Sequence, residues 1–161
     1  MSQQEDQNRM LRDAVTTFAA RDTSIARVRE LRDSAPGFDK AVWKTIAELG
    51  WTGIMIPEEY GGMGLGLSEM AAVLEEFAKT LSPEPLNPSA VLAARALLHG
   101  GNEALKKKLL PGIASGEILP ALAWQESEGG IDPLALATRA EGGGLNGGKR
   151  FVFPADADGY L

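Results

Sequence analysis

The 161-residue chain is 44% hydrophobic and 24% charged, the composition of an ordinary globular domain. A formal net charge of −6 argues against a nucleic-acid binder, and any anionic ligand must be held by local donors because the summed field repels it. Zero cysteines and a single histidine, His99, exclude disulfides, thiolate metal sites and histidine-rich metal centres, so no metal is expected. The polar, acidic start Met1–Gln7 is unlike a secretory signal. No apolar run approaches the roughly 20 residues that span a bilayer. A cytoplasmic protein with no membrane insertion is the expectation.

The first two-thirds of the chain reads as helices. Met10, Leu11, Ala14, Val15 and Phe18 recur at intervals of three and four, which predicts an amphipathic helix beginning near Asp6. Arg21 to Ser34 carries Arg21, Arg27, Arg29 and Arg32 around Ile25, Val28 and Leu31, a more exposed second helix ended by Pro36-Gly37. Asp39 reads as the N-cap of a third, with Val42, Trp43, Ile46 and Leu49 facing inward. Gly50 can take the left-handed conformation that closes it. Ser68 is a candidate cap for a helix to Thr80, with Met70, Val73, Leu74 and Phe77 on one face. Pro83, Pro85 and Pro88 keep Leu81–Pro88 out of regular helix. Ser89 restarts a helix through His99, and Asn102 caps another that carries Leu105, Leu109, Leu110 and Ile113 and closes near Gly116.

The period then changes. Ile118 to Trp124 reads as a buried strand, Leu136 to Glu141 as a second and Lys149 to Phe153 as a third, with Gly142-Gly143-Gly144 as a turn. The expected fold is therefore mainly α: five to six helices over residues 1–117, then the first strands of a β domain over residues 118–161.

One run joins a helix end, an apolar segment and a glycine turn: Leu49-Gly50-Trp51-Thr52-Gly53-Ile54-Met55-Ile56-Pro57-Glu58-Glu59-Tyr60-Gly61-Gly62. Its first role is structural, since Pro57 disfavours helix at Ile56 and Gly61-Gly62 permit angles other residues resist. The run also resembles the signature of the acyl-CoA dehydrogenase family, flavoproteins that oxidise acyl-CoA thioesters. The resemblance extends from about residue 6 to 161 and implies an amino-terminal helical domain followed by a central β domain. It further implies a carboxy-terminal helical domain that these residues do not include, so the chain is expected to be a fragment or one piece of a larger assembly.

Two segments resemble that family's flavin-contacting motifs, and they supply the candidate site. Gln125-Glu126-Ser127-Glu128-Gly129-Gly130-Ile131-Asp132 matches a Thr-Glu-Pro…Gly-Ser-Asp loop at Glu126, Gly130 and Asp132. Gln125 stands in place of the threonine and Ile131 in place of the serine. Gln125 keeps a donor and an acceptor, whereas Ile131 can contribute only its main chain. Phe151-Val152-Phe153, preceded by Asn146-Gly147-Gly148-Lys149, matches Asn-Gly-x-Lys followed by Trp-Ile-Ser/Thr. Phe151 preserves an aromatic surface, and Phe153 deletes a hydroxyl. Trp124, directly before the loop, is either sheet core or a wall of the flavin site. The implied cofactor-binding set is Trp124, Gln125, Glu126, Gly130, Ile131, Phe151 and Phe153, with FAD as the cofactor of the complete protein and acyl-CoA as its substrate.

The loss of hydroxyls resembles the drifted subunits of heteromeric bacterial members of the family, as do "SPEPLNPSAVLAARAL" and "ALAWQE". A homo- or hetero-oligomer is therefore expected. The family's catalytic base is a carboxylate of the carboxy-terminal domain, so no catalytic residue is assigned here and the isolated chain is expected to be inactive. The alternative is a non-catalytic helical subunit or interaction module that has lost its flavin site.

Other features have plainer readings. Gly143–Lys149 matches the first positions of a phosphate-binding loop, but Arg150 replaces the required hydroxyl and no helix follows, so a hairpin is expected. Glu58 and Glu59, and Lys106-Lys107-Lys108, read as solvated faces. His99 reads as a helix-end cation, Trp43 and Trp51 as core, and Asp156-Ala157-Asp158-Gly159 as a turn.

Overall fold

The structure is a computed structural model that describes residues 3–161 apart from 131 and 133. Among them the chain forms α1 (Gln3–Asp22), α2 (Ile25–Leu31), α3 (Lys40–Glu48), α4 (Leu67–Lys79), a π-helical turn (Asn87–Ala93) running into α5 (Ala94–His99), and α6 (Glu103–Ala114). Short strands β1 (Pro120–Ala121), β2 (Arg139–Glu141), β3 (Gly144–Asn146) and β4 (Gly159–Tyr160) follow. The mainly α fold class is as the sequence implied.

The starts of α2, α3, α4 and α6 have local causes. Ser24 accepts from the main-chain N–H of Arg27, Asp39 from those of Ala41 and Val42, and Asn102 from that of Leu105. The cap of α4 is Gly66, not Ser68: Glu69 reaches back to accept from the Gly66 N–H at 2.9 Å, while Ser68 lies inside the first turn and accepts from Asn8. The helix around Ser89 begins earlier than predicted. Pro88 sits in its first turn, where the missing N–H costs nothing, so only the stretch ahead of Asn87 is irregular.

The core has two parts. In the first, α1 lies along α4, and Val15, Phe18, Trp43, Ile46, Trp51, Ile54, Met70, Val73 and Phe77 pack together. Phe18, Trp51 and Phe77 meet edge to face with centroids 5.3 to 5.9 Å apart, worth about 0.5–1.5 kcal/mol per pair beyond burial. Trp43 and Trp51 are core, as the sequence implied. Met10, Leu49 and Leu105 are not: they lie on the exposed flanks of the predicted stripes. In the second part Ile56 and Tyr60 pack on Ala94, Leu97, Leu110 and Ile113.

The glycine turn welds the two parts. Gly50 and Gly61 have φ of +79° and +81°, and a Cβ on Gly62 would lie 2.0 Å from the Ile56 carbonyl oxygen. Thr52 donates to the Ala114 carbonyl at 2.6 Å and the Trp43 indole N–H to that of Gly116 at 3.0 Å, fixing the end of α6.

From that fixed point the chain enters the β segment. The predicted strand Ile118–Trp124 contracts to β1, paired in parallel with β4. Asp158 braces the pair by accepting from the Leu119 N–H at 2.7 Å. Gly142 and Gly143, both with positive φ, close a tight hairpin of β2 on β3, so the third strand is Gly144–Asn146 and not Lys149–Phe153. Phe151, at φ 54°, interrupts extended backbone where that strand was expected. No helix among the described residues is long and apolar enough to cross a membrane.

Candidate functional site

Downstream of β1 the chain leaves the helical core through Trp124, which is 38% exposed, into the loop that follows. The loop folds on itself: the Gly130 N–H and the Gln125 side-chain amide both donate to the Ser127 carbonyl, at 3.3 and 3.2 Å. Gly129 supplies a φ of +74°, and a Cβ on Gly130 would lie 2.4 Å from the Ser127 hydroxyl. Asp132 accepts from the Leu134 N–H at 2.9 Å. These turns enclose a hollow of about 180 Å³ lined by Trp124, Gln125, Glu126, Gly130, Asp132 and Leu136, among others.

Four of the expected site residues, Trp124, Gln125, Glu126 and Gly130, thus share one surface. Ile131 lies outside the described residues. Phe151 and Phe153 do not line the hollow; they stand 68% and 57% exposed. Their segment is nonetheless tied to the loop, because the Arg150 N–H donates to the Gln125 carbonyl at 2.8 Å.

The loop's electrostatic centre is Glu126. Its carboxylate accepts from the Lys149 ammonium at 2.7 Å, from the hydroxyl and N–H of Thr138, and from the N–H of Ala137. Lys149 foremost, then Thr138 and Ala137, pull its pKa down to about 2. Sequence reasoning named neither Thr138 nor Lys149 as a site residue. Lys149 had a signal in its motif position after Asn146-Gly147-Gly148, and Thr138 had none. Lys149 is thus paired with Glu126, and the β2–β3 hairpin agrees with the hairpin reading of Gly143–Lys149.

The remaining candidates stay structural. His99 is exposed at the end of α5, 2.7 Å from Arg95, and Glu58 and Glu59 are exposed. Lys106 pairs with Glu103, while Lys107 and Lys108 face solvent. Among the described residues no group of three or more His, Asp or Glu side chains is arranged to hold a metal ion.

The chain matches the family model "Acyl-CoA dehydrogenase, N-terminal domain" over residues 5–117. It is 34% identical over 158 residues to mitochondrial isovaleryl-CoA dehydrogenase of Pongo abelii, a match covering 91% of this chain and 36% of that protein. Among solved structures, a variant of the Tcur3481-Tcur3483 steroid ACAD superposes with a TM-score of 0.82 at 27% identity, covering 95% of this chain and 43% of the other. An acyl-CoA dehydrogenase complexed with FAD from Bacillus anthracis gives 0.75 at 28% identity, over 94% and 27%. The chain thus spans well under half the length of these proteins.

Proposed function

We propose a function from the premise that this chain belongs to the acyl-CoA dehydrogenase family. In our reading it is the N-terminal portion of an FAD-dependent dehydrogenase that desaturates an acyl-CoA thioester. Residues 1–117 form its helical domain and residues 118–161 the start of its β domain. The observation that carries this reading is the main-chain bond from Arg150 to Gln125, which lays the two flavin-type segments side by side.

The residues present suit a flavin's flat ring and polar edge. Trp124, Phe151 and Phe153 all leave aromatic faces open, and the Gln125 amide carries both a donor and an acceptor. In this proposal Trp124, Phe151 and Phe153 pack on the ring and exclude water, Gln125 orients its edge, and Gly130 and Ile131 offer main chain. Glu126 shapes the loop that presents them. When bound, FAD supplies the hydride acceptor for α,β-desaturation. We assign no residue of this chain as the base that takes the α proton; it belongs, in this reading, to the further length of the relatives. The chain alone is accordingly expected to purify colourless and inactive, and to bind added FAD weakly.

An oligomer is part of the proposal, and a heteromer is the favoured form. Gln125, Ile131 and Phe153 stand where the family carries hydroxyls, and the chain is similar to a structure whose name joins two gene products. A cytoplasmic location completes it, to be checked by cell fractionation. Those same three positions favour one alternative, a helical subunit that has lost its flavin site.

Tryptophan fluorescence separates the two readings, because Trp43 and Trp51 are buried and Trp124 is not. We expect FAD to quench a component of the emission that Trp124→Phe removes. Emission from wild type and variant that responds identically to FAD would favour the lost-site reading.

A further inference from the structure

Glu126 is more heavily engaged than a cofactor contact needs to be. An ionised carboxylate offers about four acceptor positions. Here one oxygen takes the Lys149 ammonium and the Thr138 hydroxyl, the other takes the Ala137 N–H, and the Thr138 N–H lies within 3.3 Å of both. The side chain is only 12% exposed, and that of Lys149 25%. Little acceptor capacity remains to meet a ligand.

These partners come from three separate stretches. Glu126 belongs to the loop after β1, Ala137 and Thr138 immediately precede β2, and Lys149 follows β3. The carboxylate therefore stands where the loop, the hairpin and the 149–153 segment converge. The Arg150–Gln125 bond runs one residue away on each side. A Cβ on Gly147 would lie 2.3 Å from the Thr138 hydroxyl oxygen, so the chain passes closely over the junction. Around this junction the apolar side chains of Leu134, Leu145, Phe151 and Phe153 all project outward.

We propose that Glu126 is a positioning residue, a charged clamp whose bonds to Lys149 and to the 137–138 main chain hold Trp124, Gln125 and Phe151 as one platform for a flavin ring. The inference rests on the cofactor reading above. It assigns Glu126 no contact with the ring and Lys149 no contact with phosphate. Glutamine in place of Glu126 keeps the shape but removes the charge and one acceptor oxygen, setting an amide NH2 against either the Lys149 ammonium or the Ala137 and Thr138 N–H groups, so the clamp opens. Methionine in place of Lys149 removes the cation, and arginine retains it.

Amide hydrogen exchange and FAD-induced shifts of the Trp124 indole signal, read by NMR on the purified 161-residue chain, test this directly. In Glu126→Gln and Lys149→Met, exchange at Ala137, Thr138 and Arg150 is expected to accelerate about tenfold, as befits loss of a charge-assisted bond. The Trp124 response to added FAD is expected to shrink in both variants, the amides of Trp43 and Ile46 to stay as in wild type, and Lys149→Arg to keep protection and response. Unchanged exchange at Ala137 and Thr138 in Glu126→Gln would overturn the clamp. Accelerated exchange with a wild-type FAD response would reduce Glu126 to a local structural role and overturn the positioning claim. Accelerated exchange with no FAD response in any protein, wild type included, would overturn the cofactor reading instead and leave only a structural clamp.

Discussion

The helical residues 3–117 and the segment 118–161 solve the burial problem in opposite ways. The first closes its apolar faces on one another, with Phe18, Trp51 and Phe77 locked edge to face and Val15, Ile46, Met70 and Val73 fully enclosed. The second buries Leu119, Ala121 and Pro154 where β1 meets the helices, but leaves Leu134, Leu145, Phe151, Phe153 and Tyr160 more than half exposed, and its further ties are polar: the β1–β4 pair, Asp158 and the Glu126 junction. Cohesion among the helices is hydrophobic and distributed, whereas around the loop and hairpin after β1 it is polar and concentrated. Substitutions should therefore act globally in the first and locally in the second.

The largest effect is expected from Trp51→Ala, which removes the centre of the aromatic cluster and should cost about 3–5 kcal/mol in chemical denaturation. Gly62→Ala comes next: its Cβ cannot coexist with the Ile56 carbonyl, and a loss of about 1–3 kcal/mol or more is expected from thermal melts. Asp39→Ala, which strips the cap of α3, should cost about 1 kcal/mol by the same measurement. Leu145→Ser should change global stability by less than about 0.5 kcal/mol. A cost from Leu145→Ser comparable with that of Trp51→Ala would erase the contrast between the regions.

Acid sharpens the comparison. Glu126 has a depressed pKa in the folded chain, so the unfolded chain takes up its proton first as pH falls. Its contribution is fully present above the ordinary carboxylate range and is lost as pH drops from about 4.5 toward about 2. Glu76, buried between α1 and α4, is likewise held below the usual range by Lys79 foremost, then by Thr16 and Arg12. The two differ in what surrounds them. Amide protection, taken relative to intrinsic exchange at each pH, is expected to fall at Ala137 and Thr138 between about pH 4.5 and about 2 while residues around Val15 and Ile46 keep theirs. Simultaneous loss in both regions would make them one cooperative unit. Limited proteolysis is expected to cut first after residue 117.

The helices were legible because their causes are local. Ser24, Asp39 and Asn102 cap where they stand, glycine follows α3 at Gly50, and a 3.6-residue period marks Val15, Phe18, Trp43 and Ile46. Gly66 was missed as a cap because its donor is satisfied by a side chain three residues on. The site was half legible. The candidate positions 124–126 and 130 line one hollow, as neighbours in a single loop. Lys149–Phe153 was misread as a strand because aromatic composition favours extended backbone, whereas Gly142-Gly143 had already spent the hairpin on Gly144–Asn146.

The sequence by itself determined the helical class, the capped boundaries, the glycine turn and the place of the candidate loop, since each depends on neighbours a few residues apart. Only the tertiary structure decided that Glu126 meets Lys149 and Thr138 across separations of 23 and 12 residues. It also decided that Trp124 faces outward and that Phe151 stands beside the loop and not within it. Those outcomes depend on how separate segments dock, and docking is set by which polar groups must find partners once the chain has closed.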